Sequence, residues 1–170
     1  MTTNRIRADE LDLLVFELAA ARHALPLECV REVARAVLIT PLPDAPPVIE
    51  GIIDVRGDLV PVYDLRLRFG LPAQPLSPDD WLVTAWTGER VVAFRADRAD
   101  EIVSAGRDAV AGREAVPGQS AYLAGVARLP DGIVLIDDLP AFLDAAERDS
   151  LAAALAAHAE SGSTQDVPVR

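Results

Sequence analysis

Short runs of apolar residues, separated by turn-forming residues, are the dominant pattern of the chain. In the clearest example, the runs Ile49–Val55 and Leu59–Tyr63 flank the tripeptide Arg56-Gly57-Asp58. Because glycine adopts a positive φ without a steric penalty, this tripeptide between β-branched runs predicts a β-hairpin. Pro61 lies inside the second run and lacks a backbone N–H, so we expect that strand to lie at a sheet edge or to carry a bulge.

The same pattern predicts strands along most of the chain. A segment rich in Pro, Ser and Asp at 72–80 has the composition of a linker and separates the predicted strands into two sets. Beside the hairpin, strands are predicted at Leu11–Leu18, Arg22–Leu27, Val37–Ile39, Trp81–Trp86, Arg90–Arg95, Asp97–Val103, Ala121–Leu129 and Ile133–Ile136. Between them, Glu28–Val33 is predicted as a single helical turn and Ser104–Gln119 as a loop.

Two further segments have helical patterns. A short helical turn is predicted over residues 64–69, where Asp64 can act as the N-cap. A longer helix is predicted over residues 138–160, because Asp144 and Glu147 have the spacing of a capping box and apolar residues recur among alanines after them.

Many short strands with close turn signals favour β-barrels or a sandwich over a doubly wound sheet. Two small five-stranded barrels packed side by side fit a length of 170 residues. We therefore predict a mainly β fold with short helical turns and a C-terminal α-helix. The polar ends, 1–10 and 161–170, are predicted to be flexible tails.

Composition narrows the classes of partner. The net charge of -11 argues against nucleic acid or an anionic membrane surface, since both require clustered basic residues. No apolar run approaches the ~20 residues that a membrane helix needs, and the N-terminus has no signal-peptide core. Cys29 is the one cysteine, which excludes an intrachain disulfide, and we expect it to be buried. These features predict a soluble cytoplasmic protein.

Residues with catalytic potential are few. His23 and His158 have no Cys, His or carboxylate at metal-ligand spacing, so each is predicted to be a surface or partly packed histidine. The chain contains no nucleophile elbow and no glycine-rich phosphate loop. No cofactor is predicted.

Carboxylates and tryptophans leave two further functions open. Asp54, Asp58 and Asp64 cluster around the hairpin, where carboxylates can perform acid–base or metal chemistry but more often cap turns. A small β-barrel metal-dependent hydrolase that uses these three residues is therefore the alternative function. A small-molecule-binding barrel with Trp81 or Trp86 at its mouth is a third.

Three motifs at fixed spacing resemble a known family. The segments Pro41-Leu42-Pro43, Gly51–Gly57 and Leu59–Arg66 together look like the signature of CheW, the coupling adaptor of bacterial chemotaxis. The resemblance implies a CheW-like domain over about 11–143, built from two SH3-like barrels. Its first subdomain would span about 13–70 and could exchange segments with the ends of the chain. Its second subdomain would span about 80–137.

The resemblance also implies a function. Proteins of this family are non-enzymatic adaptors that bridge the helical tips of chemoreceptors to the regulatory domain of the histidine kinase CheA. This implies a cytoplasmic protein that is recruited to receptor arrays at the inner membrane. The positions that match the family's partner-binding residues are Val30, Glu32, Gly51, Arg56 and Gly57.

The sequence leaves the partner of Arg56 open, and it departs from the family's pattern in two places. Arg56 at its tip can offer a planar fork to a partner carboxylate, or it can form an intramolecular salt bridge with Asp54 or Asp58. Asp54 stands where the family usually carries Asn. A second departure is the first turn, where Ala19-Ala20-Ala21-Arg22 replaces a more polar segment.

Overall fold

The computed structural model describes residues 9–116, 118 and 120–162, and the tails predicted at 1–10 and 161–170 lie mostly outside them. The strands are β1 (Glu10–Leu18), β2 (Ala21–Pro26), β3 (Val30–Arg35), β4 (Ile49–Val55), β5 (Asp58–Tyr63), β6 (Trp81–Trp86), β7 (Val91–Ala96), β8 (Arg98–Gly106), β9 (Val110–Gly112), β10 (Leu123–Leu129) and β11 (Gly132–Asp137). The helices are α1 (Leu65–Arg68) and α2 (Ala145–Gly162). The predicted mainly β fold with a C-terminal helix is confirmed.

The strands form two sheets. The first has the order β8-β1-β2-β11-β10-β9, and the second has the order β3-β6-β7-β5-β4. The first sheet therefore has one strand more than predicted. Each sheet takes strands from both sides of the 72–80 segment, so the sheets do not follow the division at that segment, and the predicted domain and subdomain ranges stay a prediction.

Apolar residues on both faces of β1 explain how the sheets pack. Leu14, Phe16 and Leu18 point into the core between the two sheets, as their shared parity predicts. Leu13 and Val15 point the other way, into the interior of the first sheet. The second sheet has its own interior, formed by Ile53, Val60, Val62, Leu82 and Ala93. Burial of three apolar clusters in this way is what stabilises so many short strands.

Four local predictions need correction. Glu28–Val33 is not a helical turn: a 3-10 turn at Leu27–Cys29 leads into β3, which pairs with β6. Val37–Ile39 is not a strand, and its neighbour Thr40 makes only a single bridge to Ile52. Ser104–Gln119 is not one loop, because it contains the end of β8 and all of β9.

The fourth correction concerns Pro61. Its strand β5 is not at an edge, because β5 pairs with β4 on one side and with β7 on the other. The parallel ladder to β7, however, contains only Val62 and Tyr63, directly after the proline. The half of β5 that contains Pro61 is therefore paired on one side only, which is the arrangement that the missing N–H requires.

Helix α1 ties the two sheets together through two arginines. Arg66 donates two hydrogen bonds to the Asp97 carboxylate, at 2.7 and 2.8 Å. Arg68 does the same to Glu147 at the start of α2, at 2.7 and 2.8 Å. Asp97 also accepts from the backbone N–H of Ala19, at 2.8 Å. In each pair a single nitrogen, Nη2, lies close to both carboxylate oxygens. Such short charge-assisted contacts are strong, so they help to set how the first turn and α2 sit against α1.

The alanine-rich first turn is a strained one. Ala19 and Ala20 have φ values of 50° and 65°, a region in which a side chain is unfavourable. A two-residue hairpin loop between twisted strands needs this conformation at both positions. The hydrogen bond from Ala19 to Asp97 compensates for the missing glycine.

A histidine–aspartate pair is buried where the sheets meet. His23 Nδ1 lies 2.8 Å from Asp137 Oδ1, and both side chains are buried, so the prediction of a surface or partly packed His23 is wrong. The His23 ring packs against Phe16 and Phe69, at centroid distances of 5.6 and 5.1 Å. Asp137 Oδ2 has no hydrogen-bond partner among the described residues. Burial raises the pKa of Asp137 to about 6, while the hydrogen bond and charge of His23 oppose that rise.

Replacing Asp137 by Asn should change how stability depends on pH. Because the pKa of Asp137 is higher in the folded state than its ordinary value near 4, its contribution is fully present at low pH and is lost as pH rises through about 6. Relative to Asp137→Asn, the native protein should therefore lose up to about 3 kcal/mol of unfolding free energy between about pH 4 and 6. Urea unfolding across this range measures the difference, and a flat difference would contradict the assignment.

Gly51 lies where the chain crosses β4 most closely. Residues 39–40 pass over this strand, and Thr40 and Ile52 exchange two backbone hydrogen bonds, at 2.9 and 2.7 Å. A Cβ on Gly51 would lie 2.3 Å from the carbonyl oxygen of Thr40 and 2.7 Å from a methyl group of Ile39. Only glycine fits this crossing without moving backbone.

Gly51→Ala should therefore destabilise the protein more than Gly57→Ala. We expect a loss of about 3 kcal/mol for Gly51→Ala, because the clash is with backbone. Gly57 faces open space, and alanine there meets only the strain of a φ of 91°, which costs about 1 kcal/mol. Urea unfolding of the two variants compares them, and a smaller loss for Gly51→Ala would show that the crossing is not tight.

Candidate functional site

The β4–β5 hairpin presents its tip through a two-residue loop. Val55 pairs with Asp58, and the two residues between them, Arg56 and Gly57, have φ values of 54° and 91°. Two consecutive positive values define a type I′ turn, the form whose twist matches the strands of a hairpin. Asp54 Oδ1 accepts from the backbone N–H of Gly57 at 2.7 Å and so holds the turn closed. The predicted hairpin is confirmed, with arginine in a position that usually carries Asn, Asp or Gly.

This turn places Arg56 beside β3. Arg56 Nη2 lies 3.7 Å from Glu32 Oε2, and the two side chains are 85% and 44% exposed. The intramolecular salt bridge that the sequence left open therefore forms, but with Glu32 rather than with Asp54 or Asp58. An exposed pair at this distance is weak, so both groups remain available to a partner.

A bulge in β3 separates Val30 from Glu32. The pairing with β6 runs from Val30–Ala85 directly to Glu32–Thr84, so Arg31 is an extra residue and the alternation of faces is interrupted. Val30 and Val33 consequently pack against the same core between the sheets, whereas Glu32 is exposed at the hairpin side. Among the sequence-predicted site residues, the structure brings together Glu32, Arg56 and Gly57, and it places Val30 and Gly51 elsewhere.

Two openings flank the Glu32–Arg56 pair at this end of the second sheet. One has a volume of about 520 Å³ and lies between β5 and β7, lined by Leu59, Pro61 and Val91 among others. The other has a volume of about 220 Å³ and lies between β3 and β4, lined by Val37 and Ile53 among others. Both openings share the walls made by Glu32, Val55, Arg56 and Thr84.

Sequence reasoning missed three arginines that line these openings, Arg31, Arg35 and Arg90. Their proximity arises only when β3, the β4–β5 hairpin and β7 come together, so the sequence around each arginine does not reveal it.

Two of the three aspartates of the alternative function have separate structural tasks. Asp54 accepts from Gly57, and Asp64 accepts from the backbone N–H of Leu67 at 3.0 Å as the N-cap of α1. Within the described part of the chain, no three His, Cys, Asp or Glu residues lie close enough to hold a metal ion. No observation supports the hydrolase.

The two tryptophans do not lie side by side. Trp81 and Trp86 stand at opposite ends of β6. The Arg35 guanidinium covers Trp81 at 4.1 Å from the ring centroid, and the Arg31 guanidinium lies 6.0 Å from that of Trp86. Both rings therefore serve as platforms for arginines of β3.

The comparisons with known proteins agree with this architecture. Residues 12–147 match the model of the CheW-like domain. The crystal structure of the scaffolding protein TtCheW from Thermoanaerobacter tengcongensis superposes with a TM-score of 0.74 and 28% identity, over 81% of this chain and 94% of that chain. No helix among the described residues has the length and apolar character needed to cross a membrane.

Sequence relatives lie in the same family. The chemotaxis protein CheW of Klebsiella aerogenes is 24% identical over 138 residues, which cover 80% of this chain and 83% of that protein. Protein FrzA of Myxococcus xanthus is 38% identical over 88 residues, which cover 52% of this chain and 55% of FrzA. Against several of the curated relatives, the chain spans only a little over half of their length. With the family model matching well over half of its residues, the chain belongs to the CheW-like domain family.

Proposed function

We propose that this protein is a non-enzymatic adaptor that couples the cytoplasmic tips of chemoreceptors to the histidine kinase CheA. The observation that carries the proposal is the bulge in β3, which puts two predicted partner-binding residues on different sides of one strand. Val30 is turned toward the core between the sheets, and Glu32 meets Arg56 at the hairpin end. Two separate faces are what an adaptor between two partners requires.

The face next to Val30 suits the receptor. Val30 is only half-buried, and it lies close to the junction of the two sheets. A receptor tip is a helical hairpin, and an apolar helix face binds most favourably in a groove lined by apolar side chains. We assign this face to the receptor.

The hairpin end suits the kinase. The regulatory domain of CheA is expected to have the same double-barrel fold, so its barrel end can meet the barrel end formed here by Glu32, Arg56 and Gly57. Because Glu32 and Arg56 are exposed and their ion pair is weak, replacing that pair by contacts with the kinase domain costs little free energy. Gly51 is buried under residues 39–40, so we propose that it supports this end rather than touching the partner.

The similar proteins described above support a place for this chain in a chemosensory system. Proteins named for chemotaxis recur among them, and the matched crystal structure is titled a scaffolding protein. We propose that the chain works in the cytoplasm, recruited to receptor arrays at the inner membrane.

Pull-down with a receptor-tip fragment and with the kinase regulatory domain tests the assignment. The protein should retain each of them separately, since the two faces do not overlap. Retention of neither fragment would remove the adaptor function.

Arg56→Ala should weaken binding of the kinase regulatory domain by about tenfold while leaving the melting temperature nearly unchanged. The reason is that Arg56 is 85% exposed and its one ion pair is long, so it adds little to folding. Isothermal titration calorimetry and thermal unfolding measure the two effects.

Arg98→Ala is the matched control, because Arg98 is also exposed and also pairs with an exposed carboxylate, on β8 of the other sheet. It should leave both the affinity and the melting temperature as they are. If Arg56→Ala instead unfolds the protein, or binds the kinase domain like the native protein, Arg56 is not a contact residue.

A further inference from the structure

Three arginines of the described chain are held by carboxylates at short distance inside the structure. Arg66, Arg68 and Arg95 each lie 2.7 to 2.9 Å from an acidic oxygen and are largely covered by the surrounding structure. The guanidinium groups of these arginines are hydrogen-bonded within the molecule, so few of their N–H groups can bind a partner.

The arginines that line the two openings are different: Arg31 and Arg90 lie near the hairpin tip, and Arg35 lies at the opposite end of β3 and reaches the smaller opening. Arg31, Arg35 and Arg90 form no ion pair with any carboxylate of the described residues, and Arg56 forms only the 3.7 Å pair with Glu32. Arg31 and Arg35 lie over tryptophan rings, which leaves their N–H groups largely unused, although Arg35 donates once to the backbone carbonyl of Asp79 at 3.1 Å. We call Arg31, Arg35, Arg56 and Arg90 the arginine collar.

The collar gives the walls of the two openings an excess of one positive charge in an acidic protein. The carboxylates that line the same two openings are Glu32, Asp54 and Asp58, three against the four arginines of the collar. One of the three, Asp54, is engaged by the N–H of Gly57. The chain as a whole carries a net charge of -11, so these walls are a place where an acidic partner is not repelled.

Apolar surface lies inside the collar. Leu59 is 43% exposed and Val37 is 51% exposed, and each lines one of the openings. Leu38, directly beside Val37, is 83% exposed. Exposed apolar side chains that cluster within a polar rim are typical of a protein interaction site.

The short ladder between β5 and β7 keeps the larger opening accessible. Since β5 joins β7 only at Val62 and Tyr63, the residues from Leu59 to Pro61 leave a gap on that side. Val60 lines this opening and also belongs to the apolar interior of the second sheet. A side chain of a partner can therefore enter the gap and contact that interior.

We propose that the arginine collar receives a protein surface in which carboxylates surround an apolar side chain. The proposal rests on the proposed function, for which it names the chemistry of the partner at the hairpin end. The apolar side chain enters the opening beside Leu59, and the carboxylates pair with the guanidinium groups of the collar. Arg56 exchanges Glu32 for a carboxylate of the partner. Bidentate arginine–carboxylate pairs give this contact its orientation as well as its charge preference.

A short peptide tests the chemistry without a kinase or a receptor. The acetylated and amidated peptide Glu-Glu-Leu-Glu-Glu is titrated into the isotopically labelled protein, and backbone amide signals are followed by NMR. Signals from β3, the hairpin tip and the start of β7 should shift, and the matched peptide Lys-Lys-Leu-Lys-Lys should leave them in place. Replacing the central leucine by glycine should weaken binding, because the apolar opening is then empty.

Charge reversal identifies the residues. The double variant Arg31→Glu and Arg90→Glu should weaken binding of the acidic peptide at least about tenfold, since two favourable charge contacts become repulsive. Arg128→Glu is the matched control: Arg128 is an exposed arginine of β10 for which the described structure contains no ion pair, and its reversal should have no effect.

Several outcomes overturn the proposal. Absence of shifts at the collar, equal shifts with the lysine peptide, or equal weakening by Arg128→Glu would each show that the collar does not select such a surface. These outcomes are independent of the pull-down described above. If the protein retains the kinase domain but ignores the acidic peptide, the adaptor function stands and the collar proposal fails.

Discussion

Two consecutive residues at positive φ, Arg56 and Gly57, are the constraint on which the candidate site depends. A two-residue loop is short enough to keep the β4–β5 ladder in register to its end, but it forces both residues into a conformation that disfavours side chains. Asp54 helps to hold the turn, and the arginine is thereby projected across to Glu32. A longer or looser loop would leave Arg56 without a defined position.

The chain passes between the two sheets twice behind this tip, after β2 and after β7. Each sheet therefore contains strands from both sides of the 72–80 segment, and the two sheets are covalently joined at two points. The α1 arginines and a continuous series of aromatic contacts, from Phe94 through Phe16 and His23 to Phe69, fill the junction. The β3 bulge turns Val30 and Glu32 to different sides of one short strand.

Local chemistry made the hairpin, the α1 cap and the α2 capping box predictable from sequence. Asp144 and Glu147 exchange the two hydrogen bonds that their spacing predicts, at 2.8 and 3.0 Å. Strand β9 and the burial of His23 were not predictable, because both depend on partners far away in sequence, β10 and Asp137. The collar arginines were missed for the same reason. Composition and spacing report what a residue can do, and only the assembled sheets show which residues meet.

We propose that this protein holds two other proteins together and that its two faces act at once. The most direct measurement is co-sedimentation of the kinase regulatory domain with receptor fragments arrayed on vesicles, with and without this protein. We expect the kinase domain to sediment with the receptor fragments only when this protein is added, and in proportion to it. Competition between the receptor fragment and the kinase domain for the adaptor, with no ternary assembly at any concentration, would contradict it.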